Sequence, residues 1–341
     1  MSLLSSNVGI DLGSSNTLIY VPKRKVVLNE PTVVVASSAD RNLVRAVGSE
    51  ALYMIGRTTD ALTAIRPIRS GAVDDFDSTE VLVRHFLRLA VGSSHLLRPK
   101  VLVSIPVGLP EVSRKALQEA IELAGARHRG VYLVESPLCA ALGCNLHAYE
   151  PDGIMVVDVG GSTTNVAVLS LGGIVVSQMI PVGGDQMDEA IIAYLKKNSS
   201  MVIGAKTAED IKKDLASALT PSDNRRIRIR GRDLFSGHAM SVEFTSAQAY
   251  DAVREPCAAI LQAIKYVLER TPPELAADIM RSGIHLTGGA SQLFALDQYI
   301  ASNIGIPVLL ALQPEFSTIN GLGFLLEDQN LFDAIARRNS K

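Results

Sequence analysis

Cysteine is scarce in this chain. The three present, Cys139, Cys144 and Cys257, are an odd number without the paired spacing of a metal site, and each sits in an apolar stretch where a small buried thiol is common. That usage excludes a disulfide framework and points to a reducing cytoplasm. Runs of basic residues are missing as well: 33 Lys and Arg stand against 35 acids, for a net charge of -2. Nothing tracks a phosphate backbone, so nucleic acid is not expected as a partner. No uninterrupted apolar stretch reaches the length of about 18 residues that suggests a spanning helix. The opening MSLLSSNVGI also lacks a charged start followed by a long apolar core. Neither a signal peptide nor a spanning helix is expected, and membrane contact should be peripheral. Apolar residues are plentiful: 47% of 341 residues are hydrophobic, enough for one large core or two linked ones in a chain of two lobes.

Residues 157–168 read VDVGGSTTNVAV, an aspartate, a glycine pair and hydroxyl side chains set between two strand-like runs. The same arrangement stands near the start in VGIDLGSSNTLIYV, where Asp11 precedes Gly13, Ser14, Ser15, Asn16 and Thr17. Each copy reads as apolar strand, Asp-x-Gly, small polar residues and a second strand, Leu18 to Val21 or Val166 to Leu169, which is a hairpin pattern. Glycine lets the backbone approach an oxyanion closely. Turn N–H groups and the hydroxyls of Ser14, Ser15, Thr163 and Thr164 can donate to it, and nearby aspartates suit a hydrated magnesium ion. Asp-Gly and Gly-Gly are also ordinary hairpin turns. Their repetition half a chain apart favours a clamp on a polyphosphate. A third glycine turn, in GIHLTGGASQL, runs an apolar strand into Thr287, Gly288, Gly289 and Ala290 and then into the helical pattern SQLFALDQYIA. Bare backbone meeting a helix N-terminus there could hold an adenosine or an α-phosphate.

The flanking segments predict α/β layers. VLVSIP (101–106) and IMVVDVG (154–160) are continuous apolar runs, as in strands covered on both faces. PEVSRKALQEAIELAGA opens with Pro110 and places Ala116, Leu117, Ala120, Ile121 and Ala124 on one helical stripe before Gly125. The polar stretch from about 220 to 245 reads as a small subdomain of short strands, its arginines on solvated faces.

The three glycine turns, in this order, resemble those of the actin, sugar-kinase and DnaK-type ATPase superfamily. The blocks NEPTVVVAS, AVGSEA, IGRTTDALTAIRPIRSGAVDDF, VVDVGGSTTNVAVLSLGGIV, GGDQMDEAI and TPPELAADIMRSGIHLTGGAS narrow the resemblance to the bacterial actin homologues of the MreB family, from about Gly9 to Leu325. The resemblance implies an α/β, actin-like (ribonuclease-H-like) fold of two lobes and four subdomains around a central nucleotide cleft. Subdomain IA would comprise 1–32, 66–145 and 318–341, IB 33–65, IIA 146–182 and 246–317, and IIB 183–245. It also implies ATP with Mg2+, and self-association into paired protofilaments on the inner face of the cell membrane. Asp11, Gly13, Ser14, Ser15 and Asn16 would form the first phosphate loop, and Asp158, Gly160, Gly161, Ser162 and Thr163 the second. Gly288, Gly289 and Ala290 would hold the adenosine, with Glu209 and Lys212 contacting ribose and base. Asp11 and Asp158 are the metal candidates. Charges at the spacing of Glu209 and Lys212 are by themselves a solvated helical face.

Two positions depart from the family pattern. Hydrolysis needs a side chain that orients a water and accepts its proton. In MreB-like proteins this is the glutamate before the proline of a Glu-Glu-Pro motif, whereas YLVESPLCAALG places Ser136 there and leaves Glu135 one residue earlier. Adjacent residues point in different directions in strand and helix alike, so Glu135 should not simply substitute. Ser136, Glu135 and Asp158 are therefore the catalytic candidates, with slow or absent turnover expected. The second departure is Asn165, where relatives commonly carry glutamate.

In SSHLLRPK (93–100), Leu96 and Leu97 beside Arg98 and Lys100 suit a membrane-facing loop, matching a hydrophobic loop in MreB relatives. The expected lipid partner is the inner membrane. Cell-wall synthesis proteins and paralogous actins are further candidate partners. The rival readings are a nucleotide-locked scaffold that caps or copolymerises with another actin homologue, and a small-molecule kinase, although no acceptor pocket announces itself. A DnaK-type chaperone would need a substrate domain after its ATPase, for which the sequence leaves no room.

Overall fold

The computed structural model describes residues 7–40, 43–57, 59–92 and 98–339. Two compact units emerge, one of Met1–Glu150, Leu171–Ile174 and Phe316–Lys341, the other of Pro151–Ser170 and Val175–Glu315.

The first unit is built on five strands. β1 (Val8–Leu12), β2 (Asn16–Val21) and β3 (Lys25–Pro31) form an antiparallel meander, as the alternation of apolar runs and polar turns predicts. A small sheet follows, β4 (Val34–Ser37) between β5 (Val44–Val47) and β6 (Leu62–Ile65), with helix α1 (Ser49–Met54). A short ladder of β7 (Ile68–Arg69) and β8 (Ala72–Val73) leads to α2 (Phe76–Val91), whose N-cap Asp75 accepts from the Ser78 N–H at 2.9 Å. Strands β9 (Val101–Ile105) and β10 (Val131–Glu135) join parallel to β1, completing the order β10-β9-β1-β2-β3. Between them α3 (Glu111–Leu123) buries Leu117, Ala120 and Ile121, the stripe read from its spacing. Val8, Ile10, Ile19, Phe86, Val103 and Ile121 meet in one core, each such burial contributing about 1.5–3 kcal/mol.

Helix α4 (Ser136–Gly143) crosses α10 (Ser317–Glu327), which precedes α11 (Gln329–Asn339). The crossing is backbone on backbone. A Cβ on Gly321 would stand 1.8 Å from the Cys139 carbonyl oxygen, and one on Gly143 1.8 Å from that of Ser317. Only hydrogen fits at either place, and α4 itself starts directly after β10.

The second unit repeats the strand order. β11 (Ile154–Val159) pairs antiparallel with β12 (Thr164–Ser170), β13 (Gly173–Ile180) lies outside β12, and β17 (Ile284–Thr287) and β18 (Val308–Leu310) continue in parallel on the other side, giving β13-β12-β11-β17-β18. Helices α5 (Gly184–Ser199), α6 (Ala205–Leu215), α7 (Ser246–Glu269), α8 (Pro273–Ser282) and α9 (Leu296–Ile304) complete it. The core joins Val157, Val166, Met187, Ile191, Ile211, Phe244, Ile260 and Leu286. The polar stretch forms β14 (Met201–Val202), β15 (Arg226–Asp233) and β16 (Ala239–Thr245) in that order, with Ile229 buried and Arg226, Arg228, Arg230 and Arg232 exposed.

One expectation needs correction. The third glycine turn does not open an α-helix: Gly289–Gln292 is a single 3-10 turn, and α9 begins only at Leu296, after Ala295 in the left-handed region. The Ser291 hydroxyl folds back on the Gly288 carbonyl at 2.6 Å, so a local side-chain bond replaces the first helical turn. No helix among the described residues is long and apolar enough to cross a membrane. Leu96 and Leu97 lie outside the described residues.

Candidate functional site

Both repeated motifs close with the same bond. In the first unit the Gly13 N–H donates to the Asn16 carbonyl at 3.1 Å, and in the second the Gly160 N–H donates to that of Thr163 at 2.8 Å. The glycine two residues after the aspartate makes the turn, the hydroxyl residues follow, and the returning strand pairs Asp11 with Leu18 and Asp158 with Asn165.

In the first unit, parallel register places Asp11, Ser104 and Glu135 near the carboxyl ends of β1, β9 and β10. The Ser104 hydroxyl, a group the sequence reading missed, donates to Asp11 Oδ1 at 2.5 Å. Burial pushes the Asp11 carboxyl above its ordinary value and this hydroxyl works against the rise. A nearby cation would relieve such a carboxyl, so Asp11 fits a hydrated divalent ion. Ser14 is buried, Ser15 is half-buried, and the Asn16 side chain turns outward to donate to Asn29 at 2.8 Å.

Glu135 ends β10 and Ser136 begins α4, so the two face different surroundings. Glu135 pairs with Arg114 at 3.6 Å. Ser136 is 7% exposed and its hydroxyl is buried without a hydrogen-bond partner among the described residues. A buried hydroxyl left without a partner costs about 1–3 kcal/mol.

In the second unit, Asp158 lies beside Thr287 in parallel register, bringing the second loop and the third turn together. Gly288 packs onto them with φ 87°, and a Cβ there would stand 2.3 Å from the Val159 carbonyl oxygen and 2.5 Å from Asp158 Oδ1. Its N–H donates to the Pro314 carbonyl at 3.0 Å. Gly289 is exposed and Ala290 half-buried beside it. Ser162 is buried and Thr163 half-buried, but Thr164 is not available as a donor: fully buried, its hydroxyl donates to the Val182 carbonyl at 2.7 Å. Asn165 is buried opposite Asp158.

The start of α5 closes the back of the second loop. Gly184 N–H donates to the Gly160 carbonyl at 3.0 Å and Asp185 N–H to that of Gly161 at 2.7 Å. Only the GGDQ beginning of this helix hinted at that role. Lys212 on α6 joins the same group, donating to the Gly184 carbonyl at 2.9 Å. Glu209 instead faces outward to Lys213 at 2.6 Å and Lys206 at 3.5 Å. Burial acts to raise its carboxyl, but the Lys213 hydrogen bond and the charges of Lys213, Lys206 and Lys212 hold it below its ordinary value. Among the described residues no three metal-ligating side chains converge, so an ion here would draw on one or two carboxylates, water and a ligand's own oxygens.

Comparison with known proteins identifies the family and the fold. The family described as MreB/Mbl protein matches residues 5–334. The cell shape-determining protein Mbl of Bacillus subtilis (strain 168) is 42% identical over 96% of this chain and 98% of its own length. The cell shape-determining protein MreB of Escherichia coli (strain K12) is 44% identical over 95% and 94%. The crystal structure of MreB5 of Spiroplasma citri bound to ADP superposes with a TM-score of 0.89 at 30% identity, covering 99% of each chain. The same protein bound to AMPPNP gives 0.90 at 31%, covering 98% of this chain and 99% of its own. The MamK double helical filament, 19% identical with a TM-score of 0.78 over 95% and 99%, shares the fold. The sheet order repeated in each unit, the twice-built hairpin turn and these near full-length identities lead to one conclusion: the chain belongs to the MreB/Mbl family of actin-like proteins.

Proposed function

We propose that this chain binds ATP with Mg2+ and assembles into membrane-associated filaments of a cell-shape cytoskeleton on the inner face of the cell membrane. The observation that carries the reading is the hairpin turn built twice, each copy opening on an aspartate and closing through a glycine N–H at the end of an apolar strand. Family membership and the nucleotides bound to MreB5 support it. Backbone N–H groups and the hydroxyls of Ser14, Ser15, Ser162 and Thr163 would receive the phosphates, and Gly288 to Ala290 the adenosine. Asp11 and Asp158 would hold the ion, which supplies positive charge against the phosphate oxygens. The test is negative-stain microscopy with ATP, ADP and no nucleotide. Protofilaments with ATP that vanish in Asp11→Ala and Asp158→Ala are expected. Isolated particles under all conditions would overturn the filament reading, and polymer appearing only with a paralogous actin would replace it with a capping or copolymerising scaffold.

Turnover on such filaments is slow in this proposal. Ser136 stands where relatives carry the water-orienting glutamate, a serine hydroxyl is a poor base near neutral pH, and Glu135 is engaged with Arg114. Phosphate release as fast as that of a Glu-Glu-Pro relative would refute it. Membrane association through Leu96 and Leu97 is tested by liposome flotation, which should weaken in Leu96→Ser/Leu97→Ser; equal flotation removes the loop from the account. Cell-wall synthesis proteins remain candidate partners on the strength of the relatives' cell-shape role.

A further inference from the structure

Lys212 is held down against its own unit. Its Nζ lies 2.9 Å from Asp188 Oδ1 on α5, with the two side chains 13% and 14% exposed. That contact is charge pairing, while the aligned hydrogen bond goes to the Gly184 carbonyl at 2.9 Å. A Cβ on Gly184 would stand 3.2 Å from Lys212 Nζ, 3.3 Å from Ala290 Cβ and 3.8 Å from the Gly161 carbonyl oxygen. Gly184 and Asp185 in turn donate to the Gly160 and Gly161 carbonyls. A continuous line of contacts therefore runs from Asp188 through Lys212 and Gly184 to the second loop, and Ala290 of the third turn rests on the same glycine.

A carboxylate is a poor structural choice at this position. Burial raises Asp188 to about 6 against the pull of Lys212, and the like charges of Asp185 on α5 and Glu209 on α6 add to the rise. Asparagine would occupy nearly the same volume without that desolvation. Residues that break a local rule of this kind concentrate where function requires them.

We propose that Asp188 is a positioning residue: through Lys212 it braces the N-terminus of α5 behind Gly160 and Gly161, setting the backbone that receives the phosphates. The brace stands on the contacts above, and only its link to phosphate rests on the nucleotide reading.

Four variants test it: Asp188→Asn, Asp188→Glu, Lys212→Gln and the double Asp188→Asn/Lys212→Gln, each checked for folding by circular dichroism. Amide exchange at Gly184 and Asp185 is measured in nucleotide-free protein, and affinity for AMPPNP with Mg2+ by titration calorimetry. Asp188→Asn should speed the exchange and weaken AMPPNP binding about tenfold, a change of about 1.4 kcal/mol. Asp188→Glu should restore most of both. In the Lys212→Gln background Asp188→Asn should add nothing, since its effect passes through Lys212. An undiminished effect in that background would show Asp188 acting directly on the ligand and overturn the proposal, as would unchanged exchange in Asp188→Asn. Absence of AMPPNP binding by the native chain would instead sink the nucleotide reading, with the exchange result still deciding the brace.

Discussion

Two adjacent glycines in the third turn should respond very unequally to the same substitution. Gly288 has φ 87°, and an added Cβ would meet the Val159 carbonyl oxygen at 2.3 Å and Asp158 Oδ1 at 2.5 Å. Gly289 has no left-handed φ, and its nearest neighbour would be Glu315 Cβ at 3.8 Å, an ordinary contact. For Gly288→Ala the backbone strain costs about 1–3 kcal/mol. Forcing a methyl into the packed turn costs about another 1–3 kcal/mol. Reduced freedom of the unfolded chain returns about 0.4–1 kcal/mol. The net loss is about 1–5.5 kcal/mol, against a change within about 1 kcal/mol for Gly289→Ala. Urea unfolding followed by circular dichroism measures both. Because the clash falls partly on Asp158, Gly288→Ala should also weaken AMPPNP binding where it remains folded. Equal stability of the two variants would refute the claim that the backbone is pressed against the second loop at Gly288.

Gly321→Ala places a methyl 1.8 Å from the Cys139 carbonyl oxygen, where neither backbone can swing aside, so it should destabilise by about 2 kcal/mol or more despite the better helix propensity of alanine; an unchanged melting temperature would contradict the close crossing of α4 and α10. Ser136→Glu should accelerate phosphate release on assembled filaments by about a hundredfold or more, the usual contribution of a placed general base, with AMPPNP affinity as the control for an intact site. Asp188 supplies a pH test. Its folded value of about 6 exceeds the reference of 3.8, so its stabilising contribution is complete below the lower value and is lost as pH rises through the higher one. The difference between native and Asp188→Asn unfolding midpoints should therefore change chiefly between these two pH values, and a difference flat across that range would refute the shift.

The hairpins were legible from local chemistry. An apolar run, an Asp-x-Gly turn and a second apolar run encode their own antiparallel pairing, because the bonds that close them, Gly13 to Asn16 and Gly160 to Thr163, span three residues. The α3 stripe was legible for the same reason. Sequence continuing past Gly289 looked helical, but a short-range bond from Ser291 to Gly288 made a 3-10 turn instead. Thr164 looked like a phosphate donor, yet its hydroxyl satisfies Val182, eighteen positions away.

The sequence by itself determined the duplicated turn, the α/β alternation and the substitution at Ser136, since each is written in neighbouring residues. Tertiary structure alone decided that Ser104 restrains Asp11, that Glu135 is taken up by Arg114 while the Ser136 hydroxyl has no partner among the described residues, and that Asp188 and Lys212 stand behind the second loop. These pairings join residues far apart in the chain. Burial and parallel strand register, which no local pattern encodes, bring them together.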